Sequence, residues 1–151
     1  PILEVPPVDF GDCLALDHVI SQGPDAAVGG EKAGLMFADF GTGSLEFTPV
    51  TRKTWQACTK ATKEFVGPHD PLKLRSSDNA PELVRVAEEM TVSHARSTPY
   101  RSTSNGRIEN QIGQLLQGSR ALLHQAGLPP TWWSHAGQFY CHARNICGAP
   151  G

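Results

Sequence analysis

The chain has 151 residues, 39% hydrophobic and 19% charged, with a formal net charge of −2. That length fits one domain with a real core, and the composition excludes a disordered chain. A pI near 6.3 carries no bulk signature of a nucleic-acid binder, and no apolar run is long enough to cross a membrane as a helix. The cysteines (Cys13, Cys58, Cys141, Cys147) are scattered, without a C-x-x-C pair, and no signal peptide is expected. Reduced thiols in an intracellular protein are the expectation. The ends, PILEVPPVDF and GAPG, read as linker, so a domain over 12–147 is expected between linkers 1–11 and 148–151, as a piece of a longer polypeptide.

In chain order, DCLALDHVI (12–20) is apolar on both faces of its alternation, which predicts a central strand covered on both sides. GPDAAVGGEKAG (23–34) is a loop. GLMFADFG (34–41) and SLEFTPV (44–50) predict a hairpin around Gly41-Thr42-Gly43. TRKTWQACTKATKEF (51–65) predicts a helix with Trp55, Cys58, Thr62 and Phe65 on its buried stripe and Lys53, Lys60 and Lys63 off it.

After a Gly-Pro break, PLKLRSS (71–77) predicts a strand ending at Asp78. Asn79-Ala80-Pro81-Glu82 has the look of a helix start, with a cap and an acid three residues on. This helix ends near Met90, and TVSHAR (91–96) predicts another strand. From about Thr103 to Ala126 a long helix is expected, with Ile108, Ile112, Leu115, Ser119 and Leu122 facing inward. Glu109 falls at the border of that stripe and in the first turn, after a polar loop ending at Asn105-Gly106. Gly113 and Gly118 should each weaken the helix by about 1 kcal/mol relative to alanine. LPPTWWSHAGQFYCHARNI (128–146) predicts a final amphipathic helix, with Trp132, Trp133, Phe139, Tyr140 and Cys141 as core. The order predicts an α/β fold: a five-stranded mixed sheet with helices on both faces.

Three acids stand out. Asp17 lies in the middle of a strand apolar on both faces, where a carboxylate is costly unless paired. Asp78 ends a strand, where α/β sheets present functional groups. Glu109 borders a helix facing the sheet. Each also has a local explanation: an ion pair for Asp17, a helix-capping turn for Asp78, a favourable helix dipole for Glu109. Converging from separate elements, they would form the oxygen-rich set that two Mg²⁺ or Mn²⁺ ions require. Such ions can activate a hydroxyl and stabilise the leaving oxygen of a phosphodiester. His18, on the opposite face from Asp17, reads as a core histidine.

LALDHV, GLMFADFGTGSLEFTPV, LRSSDNAPEL, STPYRSTSNGRIEN and SRALLHQAGLPPTWWSHAGQFYCHARN together resemble the catalytic core of retroviral-type integrases, in particular those of copia-type LTR retrotransposons. The resemblance runs from about Asp12 to Asn145. It implies a ribonuclease H-like fold, with Asp17, Asp78 and Glu109 as ligands of two Mg²⁺ or Mn²⁺ ions. The implied activity is polynucleotidyl transfer: 3′-end processing and strand transfer of element DNA into target DNA. It implies a homo-oligomer, nuclear when acting on chromosomal DNA, with no membrane or small-molecule partner. Arg96, Arg101 and Arg107, with Asn105, form a locally basic stretch expected to contact DNA phosphates.

Some positions depart from that family. The spacing from Asp78 to Glu109 is short, and Ala80 stands where a glycine is usual. Asn110, Gln111, Ile112 and Gly113 follow Glu109 where basic residues are usual. Two other readings therefore stay open: an inactive or domesticated integrase-derived nucleic-acid-binding or interaction domain, and a ribonuclease H-type nuclease.

Overall fold

A computed structural model describes residues 6–20, 26–68, 72–77, 80–91, 93–96 and 102–148, with backbone alone for 74–77, 93–96 and 102–105. The strands are β1 (Leu14–Ile20), β2 (Ala33–Asp39), β3 (Leu45–Val50), β4 (Leu74–Ser77) and β5 (Ser93–Arg96). They lie in the order β3-β2-β1-β4-β5. β1, β2 and β3 run antiparallel, and the short β4 and β5 add parallel to β1 and to each other. The helices are α1 (Trp55–Val66), α2 (Pro81–Glu89), α3 (Ser102–Ala126) and α4 (Trp133–Cys147), the last entered through a 3-10 turn at Pro130–Trp132. A tight turn suffices for the antiparallel hairpin, whereas the parallel strands need the crossovers that α1 and α2 supply.

Alternation along β1 sorts its side chains between two cores. Leu14 and Leu16, with Leu35 and Phe37 of β2, pack against Cys58, Ala61 and Val66 of α1 and Leu83 and Val86 of α2. Ala15 and Val19, with Met36, Ala38, Leu45 and Phe47, pack against Ile108 and Leu115 of α3 and Cys141 of α4. On the second face glycines allow close approach. A Cβ at Gly34 or at Gly137 would run into the Phe47 ring, and one at Gly118 into the Tyr140 ring. Gly118 therefore has a packing role that offsets its poor helix propensity, while a Cβ at Gly113 would meet nothing. Phe139, expected in the core, is 57% exposed, because α4 turns the small residues Ala136, Gly137 and Cys141 inward instead.

The helix starts differ from expectation at two places. α2 has Ala80 as its cap residue, without a side-chain bond, and Pro81 in its first position. α3 begins at Ser102, so Asn105 and Gly106 are helical and its first turn contains no acid. Glu109 therefore lies some two turns in, beyond reach of the dipole stabilisation expected for it. Tertiary contacts account for the earlier start: the Arg107 guanidinium lies 4.0 Å from the Phe40 ring centroid, and Ile108 is 5% exposed.

Residues 9–11, expected as linker, are bonded to the domain. The Gly11 N–H donates to the Asp39 carboxylate at 3.0 Å, the Gly11 carbonyl accepts from the Lys73 N–H at 2.9 Å, and Phe10 packs on Phe65. The outer edge of the sheet is also closed. Pairing of Asp39 N–H with the Ser44 carbonyl leaves Leu45, Phe47 and Pro49 with their backbone groups facing away from β2. The Asn145 carboxamide accepts from the Leu45 N–H at 2.9 Å and donates to its carbonyl at 2.7 Å. Pro49 has no N–H to offer, so little of this edge can template another strand.

Candidate active site

Asp17 sits opposite Met36 in the antiparallel pair, on the face that α3 and α4 cover. Its neighbours there, Ala15 and Val19, are small, and Asp17 stays half-buried. Its Oδ1 accepts the His18 backbone N–H at 2.7 Å. Glu109 follows Ile108, which is buried in the cluster that holds Ala15 and Val19. The Glu109 side chain is exposed. α3 thus touches the Asp17 face with one residue and offers a carboxylate to solvent with the next.

Asp78 lies outside the described residues. β4 reaches Ser77 in parallel register with Leu16, and in sequence Asp78 follows Ser77 as Asp17 follows Leu16. Among the described residues, no three His, Cys, Asp or Glu side chains are grouped to hold a metal; only Asp17 and Glu109 of the expected triad belong to that set. Their carboxylate oxygens are the donor type that hard divalent cations take.

Of the residues expected at DNA, Arg107 is exposed and stacked on Phe40. Arg96 pairs with Ser77 through its backbone in β5, Asn105 lies within α3, and Arg101 is outside the described residues. The hollow of about 460 Å³ beside Trp55, Lys60, Lys63 and Glu89 belongs to the α1 side of the sheet, away from Asp17.

Several other polar groups of the domain were not singled out for a role from the sequence. Asp39, 1% exposed, accepts from the Gly11 N–H, the Thr42 N–H at 2.8 Å and the Thr42 hydroxyl at 2.7 Å. It is a structural acid that locks the β2–β3 turn; the D-x-x-T spacing at 39–42 was the available signal. The Phe40 N–H donates to the Cys13 carbonyl, tying the ring under Arg107 to the start of β1. Burial pushes the Cys13 thiol up, against the pull of the Arg107 charge. Burial raises Glu46, opposed by His142, and raises Cys141 to about 12, with Glu46 adding to it. The Lys73 ammonium, 2.6 Å from Asp12, holds that carboxyl down at about 2, helped by the Asp9 and Val8 N–H groups.

No protein-family model matches the chain, and no curated protein matches it. Solved structures do. A chain of the simian T-cell lymphotropic virus intasome, in complex with the PP2A regulatory subunit B56 gamma, superposes with a TM-score of 0.71 at 16% identity, over 97% of this chain and 54% of that one. The present chain therefore spans about half the length of that relative. The catalytic core domain of BIV integrase superposes with a TM-score of 0.67 at 13% identity, over 93% of this chain and 88% of that one. At such identities the likeness establishes architecture: the chain has the α/β fold of retroviral integrase catalytic cores.

Proposed function

We propose that the chain is the catalytic core of a retrotransposon integrase, a polynucleotidyl transferase acting on element-end and target DNA in the nucleus. The observation that carries this reading is the setting of Asp17. It is a half-buried acid on a central strand, under the helix that bears Glu109, and one residue past Leu16, whose parallel partner Ser77 precedes Asp78. Asp17, Asp78 and Glu109 would hold two Mg²⁺ or Mn²⁺ ions. When bound, these ions activate water or a 3′-hydroxyl and stabilise the leaving oxygen of the phosphodiester. The protein contributes the placement: β1 fixes Asp17 within the sheet, and α3 carries Glu109 at the margin where a DNA backbone can approach. Arg96, Arg101, Arg107 and Asn105 would contact phosphates beside it. The Phe40 ring under the Arg107 guanidinium limits the rotamers of that side chain. A homo-oligomer fits the exposed apolar residues Phe139 and Ile146 of α4, 57% and 70% exposed.

A second reading, a non-catalytic integrase-derived binding domain, is favoured by the uncharged run Asn110, Gln111, Ile112, Gly113 after Glu109. One experiment separates the two: strand transfer of an element-end duplex in Mg²⁺ or Mn²⁺, for the wild type and for D17N, D78N and E109Q. Activity in the wild type and in none of the three variants supports the transferase. DNA binding without metal-dependent cleavage or joining supports the second reading.

A further inference from the structure

We propose that Phe40 is a positioning residue, whose ring holds the Arg107 guanidinium ready for a DNA phosphate other than the one that reacts. The proposal rests on the function proposed above and deepens one contact within it. The Arg107 Cζ lies 4.0 Å over the centroid of the Phe40 ring, and the arginine is exposed. The acid next to the ring, Asp39, has both oxygens engaged by Gly11 and Thr42. One face of the guanidinium therefore rests on the ring. Its N–H donors lie in the guanidinium plane and point outward, so two of them can take a phosphate edge-on.

The ring itself is held from several sides. Phe40 packs against the cluster that contains Ala15 and Ile108, and its N–H donates to the Cys13 carbonyl at 2.9 Å. In the turn that follows, the Gly43 N–H donates to the Asp39 carbonyl at 2.9 Å, and a Cβ at Gly41 would run into the Asp9 carbonyl. A long side chain on such a platform has less rotamer freedom left to lose when it binds. At an exposed site the stack corresponds to about two- to five-fold in affinity. The position on α3 says which phosphate is held. Arg107 and Glu109 stand about 200° apart around the helix axis, on the two flanks of the buried Ile108. Phe40 follows β2, so Arg107 takes the β2 flank. Glu109 takes the flank towards β4, which lies on the other side of β1. The body of α3 separates the two groups.

The test measures binding of a labelled DNA duplex by anisotropy across a salt series, for F40L, F40Y, R107A, R107K and the double variant F40L/R107A. F40L keeps apolar bulk against the core and removes the aromatic face. It should weaken binding about two- to five-fold with the salt slope unchanged, because no phosphate contact is lost. R107A should lower the slope by about 0.9, F40L should add nothing to R107A, and F40Y should match wild type. If F40L does not fold, R107K gives the same answer: it keeps the charge without the planar group that stacks, so binding should weaken at constant slope. Wild-type affinity in F40L, or losses that simply add in the double variant, would overturn the proposal. In strand transfer, F40L and R107A should raise KM for DNA and keep kcat. A fall in kcat at unchanged KM would put Arg107 at the reacting phosphate and overturn the proposal too. Coupled losses of binding in a protein that joins no DNA would support the platform and overturn the proposed function instead.

Discussion

The two faces of the sheet are built to different rules. Beneath α1 and α2, β1 and β2 present Leu14, Leu16, Leu35 and Phe37, all at most 1% exposed, and even the imidazole of His18 is enclosed. Beneath α3 and α4 the same strand presents Ala15, Asp17 and Val19, and the helices approach through Gly137 and Gly118. The first face is filled by large side chains from the strands. The second is filled by Phe47 and the helices themselves, which leaves Asp17 half-buried. Small neighbours leave the Asp17 carboxylate open to solvent, so the second face is the one on which the proposed site lies, while the first is closed by large side chains.

The sharpest break between the faces is a pair of substitutions on adjacent β1 residues. D17N should remove strand transfer by more than the 10- to 100-fold expected for outer-shell partners, with the melting temperature nearly unchanged. Leu16→Ala should cost about 2–5 kcal/mol of stability by opening a cavity in the α1/α2 core, while activity per folded molecule persists. Denaturant melts and strand-transfer rates, measured on both, check this. Comparable stability losses in the two would erase the distinction.

Glycine substitutions sharpen the account of the second face. Gly137→Ala and Gly118→Ala should each destabilise by about 1–3 kcal/mol through overpacking against Phe47 and Tyr140. Gly113→Ala, where a Cβ meets nothing, should stabilise by up to about 1 kcal/mol through helix propensity. The opposite signs are readable in urea midpoints, and a loss at Gly113 would show that α3 is constrained there too.

The sequence pattern placed these five strands and four helices in chain order; in β1–β3 and α1–α4 the reason is a face that must be buried. What the periodicities could not locate depends on contacts far apart in sequence. Glu109 was expected in a first turn because Asn105-Gly106 reads locally as a loop. The Phe40–Arg107 contact and burial of Ile108 extend α3 back over it. Phe139 was expected inside because it is aromatic, but the small residues of α4 set which side meets Phe47. Asn145 closing the sheet edge at Leu45, a hundred positions away, has no local signature at all. Of the candidate site, the choice of Asp17 rested on its polar side chain among apolar neighbours, and its face is the one that α3 covers. Neither periodicity nor spacing can measure its distance from Glu109 or Asp78.

Acid–base behaviour should differ between the termini of the domain and its core. Cys141 has its folded pKa raised to about 12 from 9.0, so its contribution is intact below pH 9 and is lost as pH rises from 9 towards 12. Asp12 is held at about 2 against 3.8, so its contribution is intact above pH 4 and is lost as pH falls towards 2. Melts across pH 8–12 should show a steeper fall in wild type than in Cys141→Ala, once the lower baseline of the variant is subtracted. An equal slope would mean that Cys141 is solvated.

A smaller effect concerns DNA. If Arg96, Arg101 and Arg107 supply the phosphate contacts, the logarithm of affinity should fall with the logarithm of salt with a slope of about three at most. The triple alanine variant should lose most of that slope. An unchanged slope would move the DNA surface elsewhere on the domain.

The most direct test of the central claim compares two aspartates of neighbouring strands. Asp39 is buried and bonded to Gly11 and Thr42; Asp17 is half-buried under α3. Metal-dependent strand transfer per folded molecule should be lost in D17N and retained in D39N, which should instead be destabilised by about 1–3 kcal/mol. Retained strand transfer in D17N would contradict the assignment of this face as the site of catalysis.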